Sequence, residues 1–147
     1  MKNKSLFGLG NAFNLLYLAD KILNPFSHSK SISLIENPVV IYWTQRAQNK
    51  MQTSLESTTA EMQLYFSCVV KKRVIIYERK QDFDTVAVND KLQIAFHAVE
   101  AASCDPIEFA NHFPARRILD AQGALKMKPK ELRIDYKNNK WSGEFTI

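Results

Sequence analysis

The chain has 147 residues, of which 46% are apolar and 24% are charged, and its formal net charge is +5. This composition is typical of a globular domain with its own core, and it excludes a disordered or collagen-like chain. Cys68 and Cys104 are too few for a disulfide framework and have no metal-ligand spacing; their separation permits one disulfide, but we expect two small buried side chains. The positive charge permits an acidic or nucleic-acid partner, but it is also common in proteins without one.

The N-terminal segment has the outline of a signal peptide, because two lysines precede an apolar run over residues 6–19. Two asparagines interrupt this run. Tyr17 also takes the −3 position of the one plausible cleavage site, after Ala19, where a small residue is required. We therefore predict that the segment is retained as a helix over residues 5–23 and that the protein is cytoplasmic.

The apolar residues of this first helix go nearly all the way round a helical wheel, so several of its sides must be covered. The helix either lies deep in the fold or contacts a second copy, another protein or a membrane surface. We take a protein contact, including self-association into a homo-oligomer, as the functional hypothesis for this segment. The candidate interface residues are Leu6, Leu9, Phe13, Leu16 and Tyr17.

A second helix is predicted over residues 38–56, because Asn37 and Pro38 have the pattern of an N-cap followed by proline at the first helical position. The serine-rich residues 27–33 before it read as a polar connector. After it, apolar residues recur at every second position over residues 61–70. This run predicts a strand that turns back through Lys71-Lys72-Arg73 into an antiparallel hairpin.

The second half of the chain predicts further hairpins. Asn89-Asp90 is a plausible turn between strands 85–88 and 91–100, and Gln122-Gly123 is another between 117–120 and 125–127. A short helix is predicted over residues 105–113, after Asp105-Pro106. The last hairpin is the best defined of these, because Asn138-Asn139 supplies two residues that tolerate positive φ. Its register pairs Tyr136 with Trp141, Leu132 with Phe145 and Arg133 with Glu144.

These elements predict a single domain, residues 1–147, of the α+β class. We expect two N-terminal helices packed on the concave side of a bent antiparallel sheet of about seven or eight short strands. One short helix is inserted near residues 105–113.

No motif in the sequence carries a recognisable chemistry. There is no glycine-rich phosphate loop after a strand, no pair of His or Cys at metal-ligand spacing and no serine in a nucleophile elbow, so we expect no cofactor and no metal. The catalytic candidates are His97, His112 and Cys104. The two histidines, with Glu78, Arg79 and Lys80, suggest a metal-independent ribonuclease, and Cys104 lies just before a predicted helix.

A basic nucleic-acid-binding protein is the other alternative. Its candidate residues are Arg116, Arg117, Lys126, Lys128 and Lys130, with Tyr136 and Trp141 available for stacking on bases. Strand alternation places these aromatic residues on the face opposite Arg133, which weakens the case. A small apolar ligand in the concave sheet is a further possibility. Because no catalytic group of residues stands out, the sequence favours a non-catalytic binding or assembly module that acts through protein–protein contacts.

Overall fold

The computed structural model describes residues 15–66, 69–101, 116–118 and 127–147. The described part of the chain contains helix α1 over residues 15–23 and helix α2 at Gln45–Thr53. Its strands are β1 His28–Leu34, β2 Asn37–Trp43, β3 Thr58–Phe66, β4 Val70–Tyr77, β5 Val86–Ala87, β6 Leu92–Ala101, β7 Arg116–Ile118, β8 Glu131–Lys137 and β9 Lys140–Thr146.

The strands form two mixed sheets, and the prediction of helices packed on one antiparallel sheet is wrong. The first sheet has the order β1-β2-β8-β9, and the second has the order β4-β3-β6-β5 with β7 also paired to β6. Each sheet has a parallel pair at its centre, β2 with β8 and β3 with β6. Parallel neighbours are far apart along the chain, so an interpretation built from local hairpins does not show them.

The predicted helix over residues 38–56 is also wrong in its first half. Val39, Ile41 and Trp43 are buried at alternate positions of β2, which is the period of a strand and not of a helix. The β-branched residues in this run favour extended backbone. The helix begins only after Thr44, which is its actual N-cap, and the predicted polar connector before β2 is strand β1.

The predicted hairpins fare better. The pairing of β5 with β6 across Asn89-Asp90 is confirmed, as is the β8–β9 hairpin with each of its three predicted residue pairs. Asn138 and Asn139 have φ values of 53° and 61°, as their turn requires. The central hairpin exists as β3 and β4, but Lys71-Lys72-Arg73 lies within β4 and is not a turn. The predicted helix 105–113, the Gln122-Gly123 turn and most of the strand at 125–127 lie outside the described residues.

One hydrophobic core joins the two sheets and α2. The rings of Phe96 on β6 and Phe145 on β9 meet edge to face, with centroids 6.2 Å apart. Ala47 and Met51 of α2 close one side of this core. The other buried members are Leu34, Val39, Ile41, Trp43, Ala60, Met62, Leu64, Val88, Leu92, Ile94, Leu132 and Ile134.

Candidate functional site

Helix α1 is amphipathic, and its polar side faces the rest of the protein. Tyr17, Asp20, Lys21 and Asn24 follow one another at three- or four-residue spacing, which places them on one side of the helix. These four residues line a cleft of about 260 Å³ whose other wall comes from α2, β8 and β9. The orientation is the reverse of that of an ordinary surface helix, which turns its apolar side to the core.

The apolar side of α1 consequently points away from the domain. Its large side chains are 53–77% exposed: Leu15, Leu16, Leu18, Ile22 and Leu23. We call this set the outward face of α1. Ordinary protein surfaces expose hydrophobic residues singly, but the outward face of α1 exposes five aliphatic side chains side by side. A contiguous exposed apolar patch of this kind marks an interaction site.

A network of ion pairs connects α1 to the domain. The Arg46 guanidinium of α2 donates from Nη1 and Nη2 to the Asp20 carboxylate of α1, at 2.9 and 3.1 Å. It also donates from Nε and Nη2 to the Asp135 carboxylate of β8, at 2.8 and 2.5 Å. Lys137 Nζ lies 3.2 Å from Asp20 Oδ2. One planar guanidinium thus bridges two carboxylates from different elements, a geometry that lysine does not offer.

These contacts shift the pKa values of all three groups. Hydrogen bonds from Arg46 lower the pKa of Asp20 from 3.8 to about 2. Burial acts to raise the pKa of Asp135, but hydrogen bonds from Arg46, Thr44 and the Tyr136 N–H outweigh it, so the pKa is lowered. Hydrogen bonds to Asp135 and Asp20 raise the pKa of Arg46. All three groups are therefore charged at neutral pH.

The local sequence around Thr44 explains why the network forms at this place. The Thr44 side chain accepts a hydrogen bond from the Ala47 N–H at 3.2 Å and so caps α2. The same hydroxyl donates to Asp135 Oδ1 at 2.6 Å. Thr44 therefore fixes the first turn of α2 against β8, and Arg46 in that turn is aimed at Asp135.

A second polar cluster lies on the second sheet and includes the catalytic candidate His97. Glu61 of β3 is only 1% exposed, and its carboxylate accepts hydrogen bonds from Gln63 Nε2 and, at 3.4 Å, from the Tyr77 hydroxyl. His97 Nδ1 lies 3.5 Å from Glu61 Oε1, and the Phe83 ring meets the imidazole edge to face. The Gln63 amide and the Tyr77 hydroxyl satisfy the buried oxygens of Glu61, as a structural network requires.

The other residues of the ribonuclease hypothesis do not join this cluster. Glu78 accepts a hydrogen bond from Trp141 Nε1 at 2.9 Å and lies 3.5 Å from Lys50 Nζ. Arg79 and Lys80 are exposed. His112 and Cys104 lie outside the described residues, so the catalytic hypothesis stays a prediction.

The candidate nucleic-acid-binding residues are only partly described. Lys128 and Lys130 line a pocket of about 430 Å³ with Pro38, Pro129 and other residues, and Lys128 Nζ donates to the Ile35 carbonyl at 3.2 Å. Arg116 and Arg117 are described as backbone of β7 only, and Lys126 lies outside the described residues. The aromatic candidates Tyr136 and Trp141 pack on each other with centroids 4.8 Å apart.

Of the five interface candidates, Leu16 and Tyr17 are described. Leu16 is 71% exposed on the outward face, whereas Tyr17 lines the cleft on the polar side. Leu6, Leu9 and Phe13 lie outside the described residues. The sequence reading missed Asp20, Arg46 and Asp135 altogether. Its only signal was Asp20 itself, a charged residue within an apolar helical segment.

Comparison with known proteins leaves the site to be interpreted on its own geometry. No family model, curated protein or solved structure matches this chain. In the part of the chain that the structure describes, no helix is both long enough and apolar enough to cross a membrane.

Proposed function

We propose that this chain is a non-catalytic assembly module, and that the outward face of α1 binds the same face of a second copy. The observation that carries the proposal is the orientation of α1, whose polar side is attached to the domain while its large aliphatic side chains face solvent. Such an arrangement leaves a water-exposed apolar surface that association removes.

The energetic balance supports association between two such faces. Full burial of a Leu or Ile side chain contributes about 1.5–3 kcal/mol. Five side chains that are each more than half exposed, on each of two copies, therefore supply on the order of 10 kcal/mol. Association costs about 4–15 kcal/mol in lost freedom, so two apolar faces offset a cost in the lower part of this range, whereas one face against a polar surface supplies only about half as much.

The spacing on the outward face supports self-pairing in particular. Leu15, Leu18 and Ile22 are separated by three and then four residues, which is the spacing of an apolar helix–helix seam. Ala19, beside this seam, is small enough to allow close approach of the two backbones. A two-fold dimer uses the same patch on both copies, and a uniformly apolar face is complementary to itself.

We further propose a cytoplasmic location, supported by the polar interruptions of the N-terminal apolar run and by Tyr17 at a position where signal cleavage requires a small residue.

Nucleic acid, a membrane surface and a small apolar ligand stay alternative partners. The inner faces of both sheets contribute to a shared core of side chains.

The experiment is sedimentation velocity across a range of protein concentrations. The double variant Leu18→Glu, Ile22→Glu places two charges at the centre of the outward face. The matched control is Leu55→Glu, because Leu55 is fully exposed beyond the end of α2 and lies outside this face. Co-sedimentation of each protein with anionic and with neutral phospholipid vesicles is a second arm.

We expect a dimer for the unaltered chain and for Leu55→Glu, and a folded monomer for the double variant. A monomeric unaltered chain at every concentration would overturn the proposal. Vesicle binding that the double variant loses, without any dimer in solution, would replace the second copy by a lipid surface.

A further inference from the structure

A cleft separates α1 from the domain, and in the described residues the ion pairs of one α1 side chain span it. The cleft of about 260 Å³ lies between the polar side of α1 and residues of β8 and β9, including Arg133, Asp135 and Ser142. A space of this size accommodates several water molecules. The large aliphatic side chains in the described part of α1 are more than half exposed, so close-packed apolar contact does not hold this part of the helix to the domain, in contrast to the filled core.

Asp20 of α1 makes the ion pairs that span this cleft. Among the described residues of α1, it is the one whose side chain makes an ion pair to another element, through Arg46 and Lys137. The Asn24 side chain bonds back to Asp20, and the Lys21 ammonium lies over the Tyr17 ring, so these contacts stay within α1 and its C-terminal end. Removal of the Asp20 charge would therefore abolish the ion pairs that the described residues show between α1 and the rest of the domain.

This ionic contact is sensitive to salt. The side chains of Arg46, Asp20 and Asp135 are 22%, 26% and 19% exposed, so water and salt reach the network. Ion pairs that solvent reaches weaken as salt is added. Most of the stability of a helix in a protein comes from tertiary packing, so α1 loses stability as a helix when it is released from the domain. Added salt therefore favours release of α1 from the domain, which is the behaviour of a switchable element.

We infer that Asp20 is an ionic latch that regulates assembly by fixing α1 on the domain with its apolar side outward. The inference rests on the proposed function, since the latch regulates the same face that pairs with a second copy. In the latched state both copies present a preordered helix. In the released state the helix must be ordered during association, and affinity falls because only the ordered fraction is competent to bind.

The latch is tested first without assembly, in the monomeric background Leu18→Glu, Ile22→Glu. Asp20→Asn removes the carboxylate charge with little change of shape, and Asp90→Asn in the exposed turn after β5 is the matched control. The readout is the backbone ¹⁵N order parameter of residues 15–23 at low and at high sodium chloride concentration.

We expect order parameters near about 0.85 in the background protein and in Asp90→Asn at low salt, falling below about 0.6 in Asp20→Asn and in the background protein at high salt. Unchanged order in Asp20→Asn would overturn the latch. In the chain with its outward face intact, Asp20→Asn should weaken dimerisation at least about tenfold. If Asp20→Asn releases α1 in a chain that never dimerises, Asp20 fixes α1 on the domain, but the proposed function and the regulation of assembly are both overturned; unchanged order in a chain that does dimerise overturns the latch alone.

Discussion

Gly143 of β9 approaches Val74 of β4 so closely that a Cβ on Gly143 would lie 2.8 Å from Val74 Cγ1. These two strands belong to different sheets, and this contact is where their edges meet. The neighbouring atom belongs to a β-branched side chain with a stiff χ1, so it cannot move away freely. Gly143 is therefore required for close packing of β9 on β4, and not for an unusual backbone conformation.

Gly143→Ala should lower the free energy of unfolding by about 1–3 kcal/mol through overpacking. Urea denaturation measures this, and Ser142→Ala on the exposed side of the same strand is the control, with an expected change within about 0.5 kcal/mol. Adding Val74→Ala should recover part of the loss, giving a favourable coupling in the double-mutant cycle. Additive effects of the two substitutions would show that this contact is not the cause.

Ile35, at the tip of the β1–β2 hairpin, should be a site of easy stabilisation. It has a φ of 50°, in the left-handed region that a β-branched residue rarely adopts, and its side chain is 42% exposed. Ile35→Asn should raise the free energy of unfolding by about 1 kcal/mol, because asparagine tolerates this conformation. Ile35→Ala removes the β-branch but has no short polar side chain to hydrogen-bond locally in the left-handed conformation, so it should gain less. Equal gains for both variants would attribute the effect to the removed side chain and not to the backbone.

Thr44 should contribute to stability through its hydroxyl. Thr44→Ala removes both the cap of α2 and the hydrogen bond to Asp135, so we expect a loss of about 1–2 kcal/mol. Thr44→Ser keeps the hydroxyl and should retain most of this stability. Thermal and urea unfolding of the two variants give the comparison, and a serine variant as unstable as the alanine variant would point to the lost methyl group instead.

Acid should weaken the network around Asp20 in a defined window. Because its pKa is lowered from 3.8 to about 2, the carboxylate stabilises the folded state above about pH 4, and this contribution disappears as the pH falls towards 2. The charged groups around it are Arg46 and Lys137 in contact, with Lys21, Arg133, Asp135 and Glu144 along the cleft. The pKa of Asp135 is also lowered in the folded state, so protonation of Asp135 in acid removes a further contribution to stability.

The unfolding free energy of the unaltered chain and of Asp20→Asn, measured by urea at several pH values from 6 to about 2, tests this. The difference between the two proteins should be largest at pH 6 and should narrow steadily below about pH 4. A difference that is independent of pH would mean that the Asp20 charge contributes nothing to stability.

Elements held by residues that are close along the chain could be predicted from the sequence, whereas pairings between distant residues could not. The β8–β9 hairpin was predictable to the residue pair, because Asn138-Asn139 fixes the turn and the alternation fixes the faces. The parallel pairing of β2 with β8 was not, since it joins residues about 90 positions apart with no local signal. Local patterns also misled at Asn37-Pro38, where a helix-start motif opens a strand.

The candidate site shows the same division. The apolar character of the first helix was readable from the sequence, but which side would face the domain was not. That choice depends on Arg46 reaching Asp20 and Asp135 together, and hence on the placement of α2 against β8. The inverted orientation of α1 is a property of the tertiary fold alone.

The most direct test of the account is a nuclear Overhauser experiment on an equimolar mixture of ¹³C,¹⁵N-labelled and unlabelled chains, filtered for contacts between molecules. The account predicts intermolecular contacts between methyl groups of Leu15, Leu18 and Ile22 on one copy and the same group on the other. Absence of these contacts from a sample that is dimeric by sedimentation, or their appearance only at residues outside α1, would contradict it.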